Sequence, residues 1–290
     1  MPRKNQAKIA SFILFVAALF MALITDNRAV NEAHASAFGP PDGHTGAPGE
    51  LTCAVSGCHG GLPNTGPGEF LIEAPSVYEP GMTYRISVRH NTSDSTRQRW
   101  GFQLTALTSI NGPAGHLASV NNQTQILMGG PGGNREYIEH SISGTFPGQR
   151  TGLTFLVDWT APSTDVGPVV FYAAGNQANN DSTNDGDQIY TAQAVIFSGP
   201  PEITGARVSG KKLFVSGKNF AEGSSLFMCA CENPATDGSR VKKTNNDSED
   251  PFGLLVSKKG GKSIEPGATV NLQVRSPDGI LSAPFSFKRE

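Results

Sequence analysis

Short segments with a two-residue apolar period, cut by turn signals, recur through the middle of this 290-residue chain. Tyr84, Ile86 and Val88 alternate with Arg85, Ser87 and Arg89, which is the pattern of a half-buried strand. Further strands are predicted over 101–107, 137–142, 153–159, 169–174 and 189–197. Between them lie Glu79-Pro80-Gly81, Asn111-Gly112-Pro113, a glycine-rich stretch at 129–133 and a polar stretch at 179–186. The 34 Gly and 20 Pro supply such turns, no G-X-Y period is present, and 16 Phe can feed a core. No long helical period follows residue 25. An all-β chain is therefore expected. Gly199-Pro200-Pro201 breaks the pattern, and beyond it 212–215, 270–274 and 283–288 read as strands, with a turn at 276–279. The expected organisation is an irregular segment at 38–67, a β-sandwich at 68–198 and a small Ig-like sandwich at 199–290.

The first 37 residues read as an address. Arg3, Lys4 and Lys8 precede an uncharged run at 9–25, and Ala33-His34-Ala35 and Ala35-Ser36-Ala37 follow it as small-residue cleavage sites. That is the layout of a secretory signal; the competing reading is an uncleaved anchor. No Cys follows the run directly, which argues against a lipoprotein, and no later run could span a bilayer. Export to the periplasm, cell surface or medium is expected, with no stable membrane span after cleavage. The 23 basic and 25 acidic residues show no basic patch, so nucleic acid is not an expected partner.

The segment 38–67 carries Cys53, Cys58 and His59, a C-x4-C-H arrangement. A c-type haem needs two thiols for thioether bonds to its vinyl groups and a His directly after the second Cys to reach the iron; the usual spacing is C-x-x-C-H. Here two extra residues separate the thiols. The competing reading is a Cys53–Cys58 disulfide, which an oxidising compartment would also allow. Export does not separate the two readings, whereas His59 does, because a disulfide has no use for it. Zinc ranks third: Cys53, Cys58 and His59 need a fourth ligand, and adjacent Cys58 and His59 fit one tetrahedron poorly. A sixth iron ligand could come from His44, His90, His116 or His140, or from Met82, Met128 or Met228. In a strand over 137–142, Ile138, His140 and Ile142 would share an apolar face, which also suits an ordinary core histidine. His90 follows the apolar face of Tyr84, Ile86 and Val88 at a strand end, and His116 reads as a loop residue.

Two stretches resemble known families. Pro200 and Ile203, the LFVSGKNF run at 213–220, Gly223, the IEPG at 264–267 and the VRSPDG at 274–279 resemble IPT/TIG Ig-like domains. TGAPGE at 45–50, the stretch from Cys53 to Gly60, YEPG at 78–81, GFQL at 101–104, YIEH at 137–140, WTAP at 159–162 and GDQIY at 186–190 resemble bacterial reelin-domain-like proteins of the choice-of-anchor V type. The resemblance implies an exported β-sandwich, a haem-type Cys/His segment and no enzymatic reaction. It also favours His140 as the second axial ligand, because the Tyr-x-x-His-Ser/Thr element recurs beside that segment in the family. Met128 and His44 rank next.

Two weaker signals remain. Asp181, Thr183, Asp185 and Gly186 fall at EF-hand-like positions, but Ala192 stands where the bidentate Glu belongs, so a polar turn is expected, with weak Ca²⁺ binding at Asp181–Asp187 as the alternative. Cys229 and Cys231 share a strand face and are expected as thiols, because so short a bridge is hard to close. No catalytic motif stands out. The expected function is one-electron transfer or redox sensing by an exported monohaem c-type protein, with haem on Cys53 and Cys58, His59 and His140 on the iron, and a redox protein as partner. The alternative is a haem-free structural or adhesive surface protein with a Cys53–Cys58 disulfide, binding a glycan or another cell-surface component.

Overall fold

A computed structural model describes residues 36–55, 57–130 and 133–290. The expected signal at 1–37 lies outside these residues, except for its last two.

The described residues are nearly all β, with one short α-helix at Pro234–Asp237, and build two successive pairs of antiparallel sheets. Strands β1 (Glu69–Glu73), β2 (Thr83–Asn91), β3 (Arg99–Thr108), β4 (His116–Ser119), β5 (Thr124–Gly129), β6 (Arg135–His140), β7 (Gly152–Thr160), β8 (Val169–Ala178) and β9 (Gln188–Ile196) come first. They form a four-stranded sheet, β1-β2-β7-β4, and a five-stranded sheet, β5-β6-β3-β8-β9. Strands β10 (Glu202–Ser209), β11 (Lys212–Lys218), β12 (Ser225–Cys229), β13 (Ser239–Arg240), β14 (Thr244–Asn246), β15 (Leu254–Ser257), β16 (Thr269–Arg275) and β17 (Phe285–Lys288) follow. Their sheets are β10-β11-β15-β14 and β13-β12-β16-β17. Each pair of sheets encloses its own core. The first holds Trp100, Phe102, Leu104, Phe155, Trp159 and Phe171, among others. The second holds Leu213, Phe220, Leu226, Leu255 and Leu272. Between β9 and β10, Phe197 meets Phe252 edge to face at 5.8 Å, and the Asn219 amide donates to the Pro200 carbonyl at 3.3 Å. No helix among the described residues is long and apolar enough to cross a membrane.

The strands carry the alternation that the sequence shows. In β2, Ile86, Val88 and His90 are buried while Arg85 and Asn91 are exposed. In β3, by contrast, every residue from Trp100 to Leu107 is buried. Phe102 and Leu104 face the core, and the polar residues that alternate with them are covered from the other side. That second cover is the Cys/His segment.

Three sequence expectations change. Strand β6 ends at His140, and a 3-10 turn over Ile142–Thr145 follows. Ile142 is therefore 45% exposed and does not share the buried face of Ile138. His116 opens β4 rather than lying in a loop, and its exposed ring bonds Glu136 at 3.0 Å. The sulfurs of Cys229 and Cys231 are joined as a disulfide, against the expected thiols, with Cα atoms 5.2 Å apart. That separation lies within the normal range for a bridge, because the residues after β12 turn away from the extended path that a longer strand would impose.

Candidate functional site

The described part of 36–67 has neither helix nor strand. Side-chain bonds fasten it to the outer face of the five-stranded sheet. Because Phe102 and Ala173 point into the core, Gly101 and Gln103 on β3 and Ala174 and Asn176 on β8 lie on the opposite face. Gly101 pairs with Asn176, and Gln103 pairs with Ala174. These two neighbouring cross-strand pairs carry the chemistry.

At the Gly101–Asn176 pair stand two imidazoles. His59 Nδ1 lies 2.8 Å from the Asp187 carboxylate, and the Asn176 amide is 3.1 Å from His59 Nε2. His140 lies against Gly101, where a Cβ would fall 2.8 Å from its Cε1. Only glycine leaves room for that ring. His140 is buried, and its Nδ1 receives the Phe102 backbone N–H at 3.1 Å. Burial lowers its pKa, with the Arg99 and His59 charges acting in the same sense; backbone hydrogen bonds to Phe102 and Ser36 oppose them.

The Gln103–Ala174 pair holds the rest. Gln103 Oε1 accepts the His44 backbone N–H at 2.7 Å. His44 is 7% exposed; its Nδ1 is 2.9 Å from the Pro41 carbonyl, and its Nε2 is buried with no hydrogen-bond partner. Cys53 packs on Ala174 and Ile189. Its thiol is pushed up to about 12, first by burial and then by Cys58. Burial also raises the Cys58 thiol. Beside them, Glu139 is 1% exposed and accepts from Gln103 at 3.0 Å and Gln125 at 2.9 Å, and burial raises it to about 7.

Two anchors hold the segment in place. Glu50, with no exposed side-chain surface, bonds the Arg135 guanidinium, the Tyr137 hydroxyl at 2.7 Å and the Thr45 hydroxyl. The TGAPGE run thus supplies both ends of a buried polar knot. Farther along, Asn64 exchanges hydrogen bonds with Thr191, its amide donating at 2.8 Å and its carbonyl oxygen accepting at 2.9 Å.

The structure brings Cys53, His59, His140 and His44 onto one patch and leaves the other candidates elsewhere. Met128 is 62% exposed on β5, three strands from β8, roughly 14 Å at the usual strand spacing. His90 sits inside the core, 4.6 Å from the Phe70 ring and 5.5 Å from Trp100 by centroids. Burial and then His140 lower its pKa to about 3, against a backbone hydrogen bond to Gly101. In the 181–187 loop, Asp181 caps Thr183 through its backbone N–H at 2.8 Å and its hydroxyl at 2.7 Å, while Asp187 turns inward to His59. Asp187 and Asn176 as partners of His59, and Arg135 as partner of Glu50, are roles with no local pattern in the sequence.

No protein-family model and no curated protein matches the chain. Among solved structures, the chain is similar to the human F-spondin reeler domain, at 22% identity over 48% of this chain and 94% of that one, with a TM-score of 0.33. It is also similar to a cohesin module from a Clostridium perfringens ATCC13124 family 33 glycoside hydrolase, at 9% identity over 46% of this chain and 97% of that one, with a TM-score of 0.33.

Proposed function

We propose that the protein is an exported c-type haem protein that passes or senses single electrons, with the haem held by Cys53 and Cys58 and its iron by His59. The observation that supports this reading is the gathering of Cys53 and three imidazoles over two adjacent cross-strand pairs. Cys53, Cys58 and His59 are the residues that would hold the group. With Nδ1–H given to Asp187, His59 would offer Nε2 in exchange for its contact with the Asn176 amide, and a carboxylate behind a ligating imidazole orients it and raises its basicity. The bound iron would supply a one-electron couple, tuned by axial ligand, burial and hydrogen bonding. The protein's part is to fix the imidazoles and exclude water. Cys53 is sealed against Ala174 and Ile189, so a thioether at this thiol would have to form before the segment docks on the sheet. An IPT/TIG-like second sandwich would present the site to a redox protein outside the cytoplasmic membrane.

Two imidazoles compete for the sixth position. The family element favours His140. The unpartnered, buried Nε2 of His44 favours His44, whose Nδ1 is already anchored on the Pro41 carbonyl; His140 is engaged by the backbone of Phe102 and Ser36. On that ground His44 would be the residue to hold the sixth position. In the haem-loaded protein, His44→Ala should convert a six-coordinate low-spin visible spectrum to a high-spin one, and His140→Ala should leave it low-spin. The reverse pattern would return the position to His140, and a low-spin spectrum in both variants would exclude both.

A further inference from the structure

We infer that the Cys229–Cys231 disulfide is a second, independent redox element: a reversible two-electron thiol–disulfide exchange site on the second sandwich. Four observations carry it. The bridge spans a sequence separation of 2. Loop-closure entropy grows with loop length, so a bridge this short gives the fold the least that a disulfide can give. The strand before it is already secured, because β12 pairs with β16 from Ser225 to Cys229 and with β13 at Phe227 and Met228. Both cysteines are half-buried and Ala230 between them is exposed, so a thiol can approach, and accessible bridges are the exchangeable ones. Finally, the local backbone prepares a leaving group. The Cys231 backbone N–H lies 3.2 Å from Cys229 Sγ, and the Asn271 amide holds the Cys231 carbonyl at 2.7 Å, on the strand position that pairs with Cys229. A thiolate developing on Cys229 would meet a donor already in place.

The chemistry balances with a dithiol as co-reactant. One thiolate of the dithiol attacks Cys231 Sγ, the Cys229–Cys231 bond breaks, and Cys229 leaves as a thiolate held by the Cys231 N–H. The second thiol of the donor then attacks the mixed disulfide and releases Cys231. The donor ends as a disulfide, and the protein gains two electrons and two protons. This site lies on a different sandwich from Cys53 and Cys58 and owes nothing to the haem reading.

Differential alkylation of the native full chain, read by peptide mass, tests the proposal cysteine by cysteine. Dithiothreitol under native conditions should add two alkyl groups to the peptide carrying Cys229 and Cys231, oxidised glutathione should remove that labelling, and the melting curve by circular dichroism should shift little on reduction. In Cys231→Ser, the alkylation rate of Cys229 should reach half its maximum below the ordinary thiol pKa of about 8.5. Labelling that appears only after denaturation, loss of the second sandwich on reduction, or a Cys229 midpoint at or above about 8.5 would each overturn the proposal.

Discussion

Arg135→Met should cost the first sandwich about 3–5 kcal/mol, the usual result of leaving one member of a buried ion pair without its partner. Glu50 has no exposed side-chain surface and Arg135 only 9%, so neither charge can fall back on water. Glu50→Gln should cost less, because the amide oxygen can still accept from Arg135 and Tyr137 while the amide N–H donates to the Thr45 hydroxyl. The double variant should be more stable than the sum of the two losses predicts, since removing both charges leaves neither orphaned. Both tryptophans, Trp100 and Trp159, lie in the first core. Denaturant unfolding followed by tryptophan fluorescence therefore reads this sandwich without the second. A loss under about 1 kcal/mol in Arg135→Met would mean that the segment is not fastened to the sheet by this pair.

Acid should destabilise the first sandwich between pH 6.5 and 3, and His90→Leu should blunt the effect. The folded pKa of His90 is depressed from 6.5 to about 3, first by burial and then by His140. The unfolded chain thus takes up a proton below pH 6.5 that the folded chain refuses. Stability is fully present above that pH and falls toward pH 3 by about 1.4 kcal/mol per pH unit for each such group. His140 shifts in the same direction. Glu139 acts oppositely: with its pKa raised from 4.5 to about 7, its contribution is complete below pH 4.5 and lost as pH rises through 7. Between pH 6.5 and 4.5 its gain on acidification offsets one histidine; below pH 4.5 it no longer changes and His90 continues to cost. Relative to the native sequence, His90→Leu should gain roughly 3 kcal/mol at pH 4 over its difference at pH 7, from 2.5 pH units of avoided protonation. Leucine also puts no polar ring among Phe70, Trp100 and Phe155. An unchanged acid slope in the variant would show that His90 protonates in the folded state.

Much of the fold is legible in the sequence where strands have one wet face or a strong apolar run. The alternation of Tyr84, Ile86 and Val88 places β2, and the runs at 153–159 and 169–174 place β7 and most of β8. Strands β1, β4 and β5 are short, end in turns and carry exposed Leu71, Ile126 and Met128, so no clean period marks them. For the site, the Cys53, Cys58 and His59 spacing is local and therefore visible. What surrounds it is set by register. Asn176 and Asp187 reach His59 because β8 and β9 bring them there, and Arg135 meets Glu50 across 85 residues of chain. His44 looks like a solvated residue in a Gly/Pro stretch until the Gln103 side chain captures its backbone and buries its ring. The Cys229–Cys231 bridge is hidden in the sequence because a strand continued through Cys231 would hold the two residues on an extended path, whereas β12 ends at Cys229.

Covalent haem attachment is the most direct test of the central claim. The full chain, residues 1–290, should be produced together with the c-type maturation machinery, purified, and extracted with acidified acetone. The reading predicts a Soret band that stays with the protein after extraction, and its loss in the Cys53→Ala/Cys58→Ala double variant. A colourless protein from the native sequence, or a band that the double variant retains, would contradict it.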